Sequence, residues 1–180
     1  TMRRKMSKTI LITGASSGIG KITAKYFQEK GWNVIATMRS PDKESALTAL
    51  DKVLVTRLDV QDPASITSAV DAGIKEFGKI DVLLNNAGYG SYGVLEATPM
   101  EKIRRQFDVN VIGLLRVTKA FIPLLRKAKG RLINVSSGHG LLAIPDKSVY
   151  AASKFAVQAI SDALRTELAP FGISVSNLVV

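Results

Sequence analysis

The chain has 180 residues, with 25 Lys and Arg against 15 Asp and Glu, one His and no Cys, for a formal charge of +10. That length holds one domain and is too short for two full-sized ones. The lack of thiols excludes a disulfide scaffold, a thiolate zinc site and a cysteine nucleophile, and His139 alone cannot build a histidine-rich metal centre.

Residues 1–7 read as a basic N-terminal extension carrying Arg3, Arg4 and Lys5, and residues 8–180 as a single domain. The apolar run that follows, Ile10-Leu11-Ile12, is too short for a signal-peptide core or a membrane span. Most other basic residues are scattered, apart from the group Arg126, Lys127, Lys129 and Arg131. No aromatics are interleaved with the charges, so they read as a solvated face and not as a nucleic-acid surface. A cytoplasmic setting fits this composition.

Short apolar runs then alternate with amphipathic stretches. Lys8–Thr13 predicts a buried strand, Gly14–Gly20 a turn into a helix ending at Gly31, and Asn33–Thr37 and Val53–Leu58 two further strands. Pro63–Phe77 predicts a helix with Pro at its first turn and Gly78 beyond its end. Ile80–Asn85 is a fourth strand, Pro99 to Lys127 one long helix, Arg131–Ser136 a fifth strand, Ser148 to Ala169 a helix, and a sixth strand begins at Ile173. This alternation predicts an α/β fold: a Rossmann-like, doubly wound parallel sheet of about six strands with helices on both faces. In such sheets ligands bind at the carboxyl ends of the strands, where strand order reverses.

Every motif falls at such an end or on the helix that follows it. In Gly14-Ala15-Ser16-Ser17-Gly18-Ile19-Gly20, Gly14 permits a tight turn, Gly18 admits a pyrophosphate to the backbone, and Gly20 allows close helix packing. The spacing is neither Gly-x-Gly-x-x-Gly nor a phosphate loop ending in Gly-Lys-Ser/Thr. After the second strand the residues are Ala36-Thr37-Met38-Arg39, with an Arg and no carboxylate to meet a ribose 2′-hydroxyl. Guanidinium pairs well with phosphate, so the motif favours NADP(H) and leaves NAD(H) open.

Together with Asp59-Val60, Asn85-Asn86-Ala87-Gly88, Asn110, Asn134-Val135-Ser136-Ser137 and Tyr150-Ala-Ala-Ser153-Lys154, these residues resemble the short-chain dehydrogenases/reductases over essentially the whole chain. The stretches 88–93, 116–119 and 168–172 look most like the branch with steroid- and retinol-type dehydrogenases. The resemblance implies hydride transfer between a nicotinamide cofactor and a small-molecule carbonyl or secondary alcohol. It puts Asp59 and Val60 at the adenine and Asn86, Ala87 and Gly88 along the ribose and central strand. It also implies a homodimer or higher homo-oligomer.

The chemistry of the candidate site is readable in the residue types. Tyr150 and Lys154 are four apart in a predicted helix and so share a face. A free phenol, with a pKa of about 10, is a poor acid/base near neutrality, and a neighbouring ammonium and an oxidised nicotinamide both favour its phenolate. Tyr150 is therefore the expected acid/base and Lys154 its neighbour, which by resemblance also holds the nicotinamide ribose. Ser137, thirteen residues before Tyr150, is the expected donor to the substrate oxygen, whereas Ser136 reads as packed the other way. Asn110, polar among Val109, Val111 and Ile112, needs a partner if buried; by resemblance it orders a water leading to Lys154. His139 reads as a loop residue.

Members of this family usually continue past the sixth strand with a Pro-Gly segment, a substrate-covering loop, a helix and a seventh strand, none of which precedes Val180. The resemblance thus implies a sheet lacking the final helix and strand, with Ile173, Val175, Leu178 and Val180 on an apolar edge. The alternative reading is a truncated, catalytically incompetent nucleotide-binding fragment.

Overall fold

Runs of buried side chains form the strands: Thr9–Ile12 (β1), Asn33–Met38 (β2), Val82–Asn85 (β4) and Arg131–Val135 (β5). Val53–Arg57 (β3) and Ser174–Leu178 (β6) are less deeply buried and lie at the two edges. The structure is a computed structural model describing residues 7–180. The expected basic extension lies, except for its last residue, outside the described residues. All six strands pair in parallel, in the order β3-β2-β1-β4-β5-β6. Strand order reverses between β1 and β4, which fixes where a ligand crevice opens.

Helices cover both faces, as expected of a doubly wound sheet. Leu11, Ile35, Leu83 and Leu132 pack on one face against Ile66 and Ala69 of helix α2 (Pro63–Phe77) and Val117, Phe121 and Leu125 of helix α4 (Leu114–Ala128). On the other face Ile10, Ile12, Val34 and Ala36 pack with Ala24 of helix α1 (Gly18–Glu29). Helix α2 has the expected limits because its signals are local. Asp62 accepts from the Ala64 and Ser65 amides, Pro63 opens the first turn, and Gly78 closes the helix at φ 74°.

Elsewhere the boundaries differ. β1 ends at Ile12 and β4 begins at Val82, because Thr13 turns into the loop and the Asp81 amide bonds back to the Thr9 carbonyl at 2.9 Å. The sixth strand begins at Ser174. It is an edge, but Ile173 and Val175 turn into the core and only Leu178 and Val180 of the expected apolar set are exposed. The single helix expected from Pro99 to Lys127 is interrupted. Met100–Phe107 (α3) passes into a π-helical turn, Asp108–Gly113, before α4 begins.

A polar row crosses the sheet at its carboxyl end. Asn85, Asn134 and Asn177 are register partners on β4, β5 and β6. Asn85 Nδ2 donates to Asn134 Oδ1 and to Thr118 Oγ1 of α4, both at 2.9 Å, and Asn134 Nδ2 donates to Ser161 Oγ at 2.8 Å, on helix α5 (Ser148–Leu168). Two helices are thereby pinned to the strands next to the crevice. Asn134→Ala removes an acceptor and a donor from this buried row, and urea unfolding is expected to show a loss of about 1–3 kcal/mol with an unchanged m-value.

Candidate active site

The glycine turn after β1 is locked to the loop after β4. Gly14 has φ 68°, and a Cβ there would lie 2.9 Å from the Ala87 Cα. A Cβ on Gly20 would lie 2.5 Å from both Asn86 Nδ2 and the Gly14 carbonyl oxygen. Asn86 Nδ2 donates to the Thr13 and Gly14 carbonyls at 2.9 and 3.1 Å, while the Asn86 and Ala87 amides both reach Thr13 Oγ1 at 3.0 Å. Asn86 therefore acts here as a brace between the two loops at the point where strand order reverses.

A cleft of about 670 Å³ opens over this brace. Gly14, Ser16, Ser17 and Ile19 form one wall, Met38 and Arg39 the next, and Asp59 and Val60 the far end. Asn86, Ala87 and Gly88 form the floor, and Tyr150 and Lys154 close the other end. Gly18, with φ 52°, stands exposed at the first residue of α1. Ser17 is the N-cap of α1 and its hydroxyl makes no capping bond; the first turn carries no acidic residue. The positive end of the helix thus faces the cleft without an internal counter-charge. Lys21 pairs with Glu44 at 2.8 Å, and the ammonium together with the Leu47 amide holds the Glu44 carboxyl below its ordinary range. That pair ties the segment after Arg39 to α1.

At the other end, Lys154 is buried, with Nζ donating to the Val135 carbonyl at 2.9 Å and lying 5.9 Å from the Tyr150 ring centre. Desolvation lowers its pKa from 10.5 to about 8, so the ammonium still predominates at neutral pH. Asn110 sits in the π-helical turn. Its Nδ2 donates to the Tyr89 carbonyl at 2.9 Å and to Ser153 Oγ at 3.1 Å, and its Oδ1 accepts from the Tyr89 amide at 3.0 Å. Ser153 Oγ in turn donates to the Tyr150 carbonyl at 2.7 Å. A Cβ on Gly88 would lie 3.1 Å from Asn110 Oδ1 and 3.7 Å from Lys154 Nζ, so both groups face the same glycine.

The two serines have different surroundings. Ser137 is the N-cap of a short 3₁₀ turn; its hydroxyl accepts from the His139 amide at 3.3 Å and donates to the Val180 carbonyl at 3.2 Å. Ser136 lines the cleft, fully buried, with an Oγ that has no partner. Arg105 of α3 also lines the cleft, and buried Gln106 donates to the Tyr89 carbonyl at 3.1 Å. Neither stood out in sequence, because both read as part of a charged amphipathic helix. His139, taken for a loop residue, has its ring 5.9 Å from that of Tyr150.

Residues 8–180 match the family described as short chain dehydrogenase, and the chain belongs to that family. It is 44% identical over 167 residues to a 3-ketodihydrosphingosine reductase of Bacteroides thetaiotaomicron, covering 92% of this chain and 60% of that protein. It is 41% identical over 179 residues to the mitochondrial D-beta-hydroxybutyrate dehydrogenase of Mus musculus, covering 94% and 52%. The chain therefore spans between half and two thirds of the length of these relatives. Among solved structures, ElxO with NADP bound superposes with a TM-score of 0.91 at 29% identity, over 97% of this chain and 73% of that one.

The burial of Lys154 has a measurable consequence. Because its folded pKa lies below the unfolded value, the unfolded chain binds more protons between about pH 8 and 10.5. Stability should therefore carry a rising contribution across that window, with the full penalty present below it. Lys154→Met is expected to flatten that rise in denaturant midpoints measured at pH 7.5 and pH 10.

Proposed function

We propose that the chain binds NADP(H) along this cleft and interconverts a ketone and a secondary alcohol, with Tyr150 exchanging the proton. The observation that carries the reading is that Tyr150 and buried Lys154 line the same cleft as the glycine turn. The chain's own groups suit a dinucleotide phosphate. Gly20 lets the turn close on itself, the N-terminus of α1 has no acid in its first turn, and Arg39 is in none of the five ion pairs among the described residues. Arg39 and the lack of a carboxylate after β2 favour the 2′-phosphate of NADP(H). Asp59 and Val60 would hold the adenine, and Asn86, Ala87 and Gly88 the ribose side.

When bound, the nicotinamide supplies or accepts the hydride. Tyr150 gives its phenolic proton to the carbonyl oxygen in reduction and takes one from the alcohol in oxidation. Lys154 brings an ammonium to the same end of the cleft and holds the nicotinamide ribose. Ser137 exchanges its Val180 acceptor for the substrate oxygen, and Asn110 orients a water toward Lys154 across Gly88. A homodimer through the helical segments 99–127 and 148–169 belongs to the same reading, supported by Ile112 in the π-helical turn and Phe155 in α5, which are 43% and 44% exposed.

NADPH consumption with a panel of ketones tests the proposal. Tyr150→Phe is expected to lower turnover about 10²- to 10⁴-fold while NADPH binding, followed by fluorescence, persists. Retained turnover in that variant removes Tyr150 from the mechanism. NADPH binding without turnover of any ketone leaves a nucleotide-binding chain only. Arg39→Asp is expected to lower kcat/KM for NADPH by about 10- to 100-fold with a smaller effect on NADH; an equal effect on both would remove Arg39 from 2′-phosphate recognition.

A further inference from the structure

Asp108 stands where helix α3 ends and the π-helical turn begins, and the oxidoreductase reading gives it no task. Its amide is shared between the Arg104 and Arg105 carbonyls, so the last bonds of α3 close on it. Both carboxylate oxygens are taken by other segments. Oδ2 accepts from Gln61 Nε2 at 2.6 Å, and Oδ1 accepts from Arg116 Nη1 of α4 at 2.9 Å. The Gln61 amide, and after it Arg116, hold the carboxyl below its ordinary range, so the carboxylate prevails at neutral pH.

Two features set this cluster apart from an ordinary surface ion pair, which contributes little. Ion pairs on a regular helix join positions three or four apart, whereas Asp108 and Arg116 are eight apart and span the whole turn Asp108–Gly113. The other partner, Gln61, belongs to the loop after β3 and lines the cleft beside Asp59 and Val60. That loop meets the turn again at its far end, where a Cβ on Gly113 would lie 2.6 Å from Val60 Cγ2. The loop 59–61 therefore touches the first and the last residue of the π-helical turn. Asn110 lies between them and makes its three bonds to Tyr89 and Ser153. Such turns are rare and gather at functional sites, and this one is held at both ends.

We infer that Asp108 is a positioning residue: clamped between Gln61 and Arg116, it fixes the start of the π-helical turn and thereby the aim of Asn110, linking the Asp59–Gln61 end of the cleft to the Tyr150 end. Its effect on turnover rests on the oxidoreductase reading; its effect on Asn110 does not. Asp108→Ala frees Gln61 and Arg116 and leaves the turn held at its Gly113 end. Asp108→Asn keeps both contacts, since its oxygen accepts from Arg116 and its amide donates to a turned Gln61 carboxamide.

The Tyr89 amide donates to Asn110 Oδ1 and so reports the aim of Asn110 directly. Leu83, fully buried in the central strand β4, reports global stability. In native-state hydrogen exchange followed by NMR, Asp108→Ala is expected to speed exchange at Tyr89 about 5- to 10-fold more than at Leu83, and Asp108→Asn to restore protection. With NADPH and the best ketone of the panel, Asp108→Ala should lower kcat per titrated NADPH site about 3- to 10-fold with KM for the ketone unchanged. In an Asn110→Ala background the same substitution should lower kcat no further, because it acts through Asn110. Equal acceleration at Tyr89 and Leu83, no acceleration at Tyr89, or losses in kcat that multiply in the double variant overturn the inference and leave the oxidoreductase reading standing. If the unsubstituted chain reduces no ketone, that counts against the oxidoreductase reading, and the exchange comparison alone decides the role of Asp108.

Discussion

The three hydrogen bonds of Asn110 are the constraint on which the Tyr150 end of the cleft depends. A straight helix from Met100 to Ala128 would carry that amide past the Tyr89 backbone. The π-helical turn over Asp108–Gly113 adds the residue that turns it inward. The amide then binds both the N–H and the C=O of Tyr89 and reaches Ser153 on α5. One side chain thus sets the distance between the loop after β4 and the helix that carries Tyr150 and Lys154. Gly113 makes the turn possible from the other side, since a Cβ there would lie 2.6 Å from Val60 Cγ2.

That arrangement meets a second brace at the switch point. Thr13 and Asn86 exchange four hydrogen bonds across the loops after β1 and β4 if the Gly14 and Ala87 backbones are included. The glycine turn and the Tyr150 helix are consequently not two independent sites. Both are referenced to the loop 86–90, the first through Asn86 and the second through Asn110. Such referencing by buried hydrogen bonds keeps the two ends of the cleft in a fixed relation, and a mislocation near 1 Å is costly wherever reaction geometry depends on such a relation.

How much of this was legible depended on the range of the interaction that decides each feature. Strand alternation, the limits of α2 and the Gly14–Gly20 turn follow from local signals, namely apolar runs, an Asp62 cap, Pro63 and positive-φ glycines. The break at Asn110 did not announce itself, because its partners lie 21 and 43 positions away and the flanking Val109, Val111 and Ile112 continue a helical pattern. Ser136 and Ser137 were likewise distinguishable only by spacing to Tyr150. Their actual surroundings depend on the turn at Gly140, where a Cβ would sit 2.7 Å from Ser136 Oγ. The contact of Lys147 Nζ with His139 Nε2, at 3.2 Å, needs the 138–147 loop to fold back on itself, which no periodicity describes.

The charge of +10 gains meaning from this geometry. Scattered surface cations are screened and contribute little to recognition. Arg39 differs from that background, because it lines the cleft beside the glycine turn. It stands near the first turn of α1, which carries no acid. The Ala15 amide bonds to the Thr37 carbonyl at 2.9 Å, which brings the strand leading to Arg39 against the glycine turn. There side-chain charge and helix end reinforce each other. The interior of the cleft has the opposite character: Lys154, its one deeply buried cation, is desolvated and tied to the Val135 carbonyl. A ligand that carries negative charge toward the Arg39 end and an uncharged group toward Lys154 matches that distribution.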